Sequence, residues 1–325
     1  MRFGKWLQHA VASSAVAALA LSGGAMALDK VKVAGSQRNF WDTTTFYFAE
    51  QATGVFKQAG IDLEILWTQG GSDCQQSVVT GSLDICMHTG MLGAIGAWAK
   101  GAPIAIISAT STGAADIWWY TKADSPIRSI KDTNGKSVAF SRPGSSTNLL
   151  LNAIAAASGA SPNKVSTGGP AATLTQLMSG QVDVGWSAGI FAADLLEQGK
   201  IRRIASGNDA PGVATQTIRV NIAGTGFLKS NLDAAKRFMA AYRKAVDWAY
   251  SDVKALQMYA EVNKSTVDVA RSVRDQMYPK AGMATKPIGN IELSIQDAIA
   301  DKRLSAPLKP EQIREMLRYV DELNP

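Results

Sequence analysis

The chain has 325 residues, 46% of them apolar, and carries 33 basic against 27 acidic residues for a net charge of +6. That length is enough to bury one large core or two medium ones, and two is the usual arrangement at this size. A charge this modest reads as a solvated surface and excludes a nucleic-acid footprint.

The first 27 residues read as a secretory signal peptide: Arg2 and Lys5, an apolar stretch from Val11 to Leu21, then small residues up to Ala25-Met26-Ala27. Cleavage is expected after Ala27, and the apolar stretch is too short to anchor permanently in a bilayer. The first cysteine is Cys74, so no lipid anchor through an N-terminal cysteine is expected. Without the leader the charge falls to about +4, and the expected location is a Gram-negative periplasm, in soluble form. Cys74 and Cys86 are the only cysteines. In an oxidising compartment they form either a disulfide, worth about 3 kcal/mol in the chain-entropy description, or a pair of buried thiols; spacing alone leaves both open.

After the leader, short β-rich runs alternate with helical stretches ended by glycine, the pattern of βαβ units around a mostly parallel sheet. The predicted strands are 30–34, 62–67, 83–87 and 104–108, with helices over 45–59, 73–80 and 92–100 between them. A second set follows: strands near 116–122, 137–140, 164–166, 183–185 and 202–205, and helices over 146–158, 171–179 and 191–198. After a turn-rich segment at 208–212 the chain runs extended over 217–221. From Asn231 onward it reads as helical, with Ala235, Phe238, Met239, Tyr242, Val246 and Ala249 at spacings of three and four. The expected organisation is a lobe of residues 28–114 with 217–325, a second lobe of 115–216, and two crossings between them, with a cleft where strand ends meet helix N-termini.

Several stretches carry a resemblance to a known family: Gly70-Gly71-Ser72 through Gly81-Ser82-Leu83-Asp84-Ile85, Ser125-Pro126-Ile127 through Gly135-Lys136-Ser137-Val138-Ala139, and Gly168-Gly169-Pro170-Ala171 into Leu177-Met178-Ser179-Gly180-Gln181-Val182-Asp183. In order and spacing they resemble the nitrate, sulfonate and taurine class of ABC-transporter substrate-binding proteins, the NMT1/THI5-like family. That family also includes binders of thiamin-precursor pyrimidines and aromatic carboxylates. The resemblance implies a two-lobe periplasmic-binding-protein fold of type II character; that the chain has no cofactor and no catalysis is expected from its own residues, weighed below. The resemblance also implies a small organic anion captured by hinge closure and delivered to a membrane permease served by a separate ATPase, with the chain acting as a monomer. It places ligand contacts at Ser36 with Phe40, Trp41 and Asp42, at Gly71 with Ser72, at His88 with Thr89 and Gly90, and at Ser145 with Ser146 and Thr147. Small residues let backbone amides approach a ligand, and hydroxyls at a helix N-terminus add donors where the dipole favours an anion. Many relatives carry Trp and Pro two residues apart after the strand near 183–185, whereas this chain reads Ala188-Gly189-Ile190; Trp186 is the candidate for that wall.

Each candidate also has a plainer reading. The Ser145–Thr147 cluster is a site or simply a helix cap. Arg142, in the same loop, is an anion partner or a solvated side chain. Asp42 and Asp116 would instead greet an amine or amidine. Of Trp118 and Trp119, which alternate faces on one strand, one is expected in the core. The sharpest rival is Gly185-Trp186-Ser187-Ala188-Gly189, which matches the nucleophile elbow of serine hydrolases, but no histidine follows residue 88 to accept the Ser187 proton. Gly135-Lys136-Ser137 lacks the earlier glycine of a phosphate loop, and no His, Cys and carboxylate set has metal-ligand spacing.

Overall fold

The computed structural model describes residues 28–323; the expected signal peptide lies outside them. In chain order the first elements are β1 (Asp29–Gly35), α1 (Trp41–Thr53), α2 (Val55–Gln58), β2 (Ile61–Trp67), α3 (Gly71–Val79), β3 (Ile85–Gly90), α4 (Met91–Ala99) and β4 (Ile104–Thr112). The next set is β5 (Ile117–Lys122), β6 (Ser137–Phe140), α5 (Ser146–Ser158), β7 (Asn163–Ser166), α6 (Pro170–Met178), β8 (Gly185–Ala188), α7 (Ala193–Glu197) and β9 (Ile201–Ser206). The chain returns through β10 (Thr217–Gly224) and ends in α8 (Thr225–Ser230), α9 (Leu232–Ser251), α10 (Val253–Val262), α11 (Val267–Met277), α12 (Ile291–Ala300) and α13 (Pro310–Met316).

The first lobe is built on a five-stranded sheet in the order β2-β1-β3-β10-β4, and the second on an antiparallel sheet β8-β5-β9 beside the parallel pair β6-β7. The expectation of a mostly parallel sheet needs correction. β1 runs parallel to β2 and β3, but β10 is antiparallel to both its neighbours because it carries the chain back from the second lobe. β4 and β10 are therefore the two crossings, paired side by side along their length. Among the described residues no helix is long and apolar enough to cross a membrane.

Two boundary shifts matter for function. α1 begins at Trp41, four residues earlier than the apolar spacing predicts, and stops where Gly54 turns left-handed. Trp41 and Asp42 thus lie on the first turn of a helix, facing the core. The strand expected over 183–185 is instead β8, so Ser187 sits inside a strand opposite Trp118 and not on a turn.

α9 buries all six residues of its predicted apolar stripe, from Ala235 to Ala249. Most of them join Val31, Val33, Phe46 and Phe56 beneath the first sheet. A further apolar cluster brings Ile190 of the second lobe among Trp41, Phe48, Tyr259 and Tyr278 of the first. Cys74 on α3 and Cys86 on β3 form a disulfide, fully buried, with a Cα separation of 5.4 Å. It ties the first turn of α3 to β3, the strand that carries His88 and ends at Gly90. Replacing both cysteines with alanine is expected to cost about 3 kcal/mol, read as a lower midpoint in urea unfolding under oxidising conditions, with no such loss if the bond is absent in solution.

Candidate functional site

The cleft between the lobes is lined from the first lobe by Ser36, Gln37, Phe40, Thr43, Gly70, Gly71, His88, Gly90 and Arg219, and from the second by Ser141, Ser145, Ser146, Thr147 and Trp186. Four of these, Phe40, Gly70, Gly90 and Ser145, are the N-cap residues of α1, α3, α4 and α5. Only Ser145 caps its helix with a side chain, accepting from the Asn148 amide at 3.2 Å. The cleft therefore collects four helix N-termini; α1 and α3 carry Asp42 and Asp73 in their first turns, whereas α4 has neither a first-turn acid nor a side-chain cap and leaves its positive end free for negative charge.

The lobes meet closely here. The Gly93 amide donates to the Gly144 carbonyl across the cleft at 2.9 Å, and Ser72 Oγ donates to the Pro143 carbonyl at 3.0 Å. The remaining cavity is about 30 Å³, room for water and too little for an organic solute. Entry of such a solute requires the lobes to part.

Two buried polar atoms in this lining lack a protein partner: His88 Nδ1 and Trp186 Nε1. Each sits on a side chain only 2% exposed, and leaving such a group unpaired costs on the order of 1–3 kcal/mol. His88, two residues before the end of β3, has φ of 64°, a left-handed conformation uncommon outside glycine, asparagine, aspartate and histidine. Its amide donates to Asn221 Oδ1 and its Nε2 lies 3.2 Å from the Tyr242 hydroxyl. Burial pushes the imidazole down to about 4, against the opposing pull of Asp42, so it is neutral at pH 7. The unfolded chain binds a proton near pH 6.5 that the native state takes up only near 4, so stability rises with pH through that window. Between pH 7.5 and 5 the protein is expected to lose about 2 kcal/mol through this group. His88→Asn, compatible with the positive φ, is expected to flatten that part of the profile in urea titrations; an unchanged slope would show another group to be responsible.

Among the described residues, Arg219 on β10 is the one charged side chain in the lining, and the sequence reading missed it. Its guanidinium donates to Asp42 Oδ2 and Asp116 Oδ2, both at 2.7 Å, and to Ser146 Oγ at 3.3 Å. It thus joins α1, the hinge entry and α5. Burial opposes ionisation of Asp42, but Arg219, helped by neighbouring His88 and the Ser111 hydroxyl, holds it below the usual carboxylate range. Burial raises Asp116 despite Arg219, with the Asp42 charge adding to the rise. An arginine inside the strand predicted over 217–221 was the available signal, since a buried strand position holds arginine only when partners are provided.

Nine predicted residues line the cleft: Ser36, Phe40, Gly71, His88, Gly90, Ser145, Ser146, Thr147 and Trp186. Five do not. Trp41 is fully buried, edge-on to Tyr250 and Tyr259, because it starts α1 and does not belong to a loop. Asp42 is fully buried behind Arg219 and so greets no ligand amine. Ser72 bonds across to Pro143, and Thr89 Oγ1 donates to the Gly71 carbonyl at 2.8 Å. Arg142 lies beside Asp73, with 3.9 Å between Nε and Oδ1, near Gly70 and Gly168 but outside the lining. Trp118 and Trp119 are both core, the latter donating to the Ala139 carbonyl. Ser187 is fully buried, its Oγ donating to the Phe191 carbonyl at 2.8 Å, and it does not reach the cleft.

A sequence model described as NMT1/THI5 like matches residues 41–255. The 4-amino-5-hydroxymethyl-2-methylpyrimidine phosphate synthase THI5 of Saccharomyces cerevisiae is 20% identical over 241 residues, 68% of each chain. Among solved structures, the alkanesulfonate-binding protein SsuA from Xanthomonas axonopodis pv. citri, bound to MOPS, superposes with a TM-score of 0.72. It is 17% identical, and the match covers 90% of this chain and 98% of that one. The periplasmic aliphatic sulphonate binding protein SsuA from Escherichia coli gives 0.67 at 18% identity, over 89% and 91% of the two chains. At these identities the likeness shows the shared periplasmic-binding-protein fold.

Proposed function

Because the chain belongs to the NMT1/THI5-like family, we propose that it is the solute-binding component of an ABC importer, acting in the periplasm and capturing a small organic anion between lobes 28–114 with 217–325 and 115–216. The observation that carries this reading is the cleft's lining. Its one charged group is a guanidinium, four helix N-termini converge there, and Trp186 Nε1 waits as an unpaired donor. A sulfonate or carboxylate accepts from all of these. Hydroxyls of Ser36 on one lobe and Ser145, Ser146 and Thr147 on the other let such a ligand touch both lobes, which is what gives it higher affinity for the closed form. The closed protein then docks on its permease.

A second reading, a pyrimidine or other thiamin precursor, is favoured by the similarity to the yeast synthases. Such a ligand brings ring amino groups, and no carboxylate lines the cleft to accept from them. Thermal-shift titration with MOPS, ethanesulfonate, benzoate and an aminopyrimidine separates the two readings, with ligand turnover followed in parallel. Saturable shifts are expected with the anions and not with the pyrimidine, falling at least tenfold in affinity in Ser145→Ala/Thr147→Ala. A pyrimidine-only response, or product formation, would overturn the anion-carrier reading.

A further inference from the structure

A second cavity, about 160 Å³, opens where the chain crosses between the lobes. It shares no lining residue with the cleft, but the two meet at one ion pair: Arg219 lines the cleft, Asp116 lines this cavity, and they are 2.7 Å apart. Its walls come from the crossing (Ala114 to Asp116), from Ala214, and from the segment after α11 (Met277 to Met283). Among the described residues, Asp116 is its single charged lining group, and no lysine, arginine or histidine lines it.

Asp42 and Asp116 share one guanidinium, and all three side chains are at most 6% exposed. Burial raises Asp116 above the usual carboxylate range, so the charged form of this carboxyl is the one that lacks support. The Tyr278 hydroxyl, which also lines the cavity, is buried and unpartnered. A positive charge delivered into the cavity would favour the ionised carboxylate of Asp116. The apolar walls from Ala114, Met277, Pro279 and Met283 suit an alkyl body on that charge. The volume is below the roughly 300–1,000 Å³ of drug-sized pockets, which sets the occupant's size.

We propose that this cavity is a second binding site, for a small alkylammonium cation held by Asp116, and that its occupancy strengthens anion binding in the cleft. The coupling runs through Arg219. A cation that takes up part of the Asp116 charge leaves more of the guanidinium's field directed at the cleft, and by linkage the cleft anion strengthens cation binding by the same factor.

The test uses n-butylammonium, with 1-butanol as the neutral isostere at matched ionic strength. Butylammonium is expected to raise the melting temperature saturably, by roughly 5 °C at a hundredfold excess over Kd, and butanol to leave it unchanged. Ala214→Trp places an indole at the exposed rim of the cavity; it should abolish the shift while the circular dichroism spectrum and the response to cleft anions persist. Asp116→Asn should also abolish it. In the wild type, saturating butylammonium should tighten ethanesulfonate binding several-fold. An absent shift between pH 6 and 8 overturns the proposal. So does an equal shift with butanol, or one that survives in Ala214→Trp. The amine response does not depend on the cleft ligand: its retention in Ser145→Ala/Thr147→Ala, or where no anion binds, separates failure of the carrier reading from failure of this one.

Discussion

Gly90→Ala is expected to abolish anion capture, lowering affinity by about 100-fold or more, while leaving the fold intact. A Cβ at position 90 would stand 2.5 Å from the Gly144 carbonyl oxygen and 2.8 Å from Ser145 Cα, both backbone atoms of the opposite lobe. Backbone cannot swing aside as a long side chain can, so the methyl is a wedge. Gly90 itself has φ of −69° and ψ of 137°, which alanine adopts freely. The strain therefore appears only when the lobes close, and the open form tolerates the change. Binding energy that depends on contacts to both lobes is lost, because the closed population is removed. Small-angle scattering with and without ligand checks this: the wild type should contract on adding the anion and the variant should not. A variant that still contracts and binds would show that the lobes do not approach at Gly90 in the bound state.

Arg219→Gln is expected to destabilise the protein by about 3–5 kcal/mol, because it strands Asp42 and Asp116 together without a cation. The melting temperature should fall by roughly 10 °C. The pH dependence carries a sign. Without the guanidinium, burial and mutual repulsion raise both folded carboxyl values above the unfolded ones. The native state then binds more protons than the unfolded chain, so the penalty grows as pH rises through the folded values and shrinks as pH falls toward the unfolded ones. Adding Asp42→Asn and Asp116→Asn should restore most of the stability but not the binding of anions. Urea unfolding at pH 5 and 8 reads both effects. A loss that is independent of pH, or not rescued by the two amides, would mean that Arg219 acts through packing and not through charge.

Several of the predicted residues that line the cleft stand at junctions legible in the local sequence. Ser145, Ser146 and Thr147 open a helix after a glycine, Gly71 is the first residue of α3, and Gly90 ends β3; hydroxyl and glycine chemistry at such junctions is visible in a window of a few residues. Trp41 and Asp42 went the other way for an equally local reason: α1 starts at Trp41, and its first turn lacks any side-chain cap that would have marked the start. Arg142 was placed by its neighbours in sequence, while the fold turns it toward Asp73.

The alternation of strands and helices, the stripe on α9, the two crossings and the hydroxyl cluster at α5 follow from periodicity and turn chemistry, and those belong to the chain itself. The Arg219 network joins positions 42, 116, 146 and 219, separated by as many as 177 residues, and the left-handed His88 faces a cleft whose far wall lies beyond the hinge. No local pattern encodes such pairs. They exist because β10 runs back against β4 and lays a buried charge between two lobes, where low dielectric makes every unpaired group costly enough to dictate its partners.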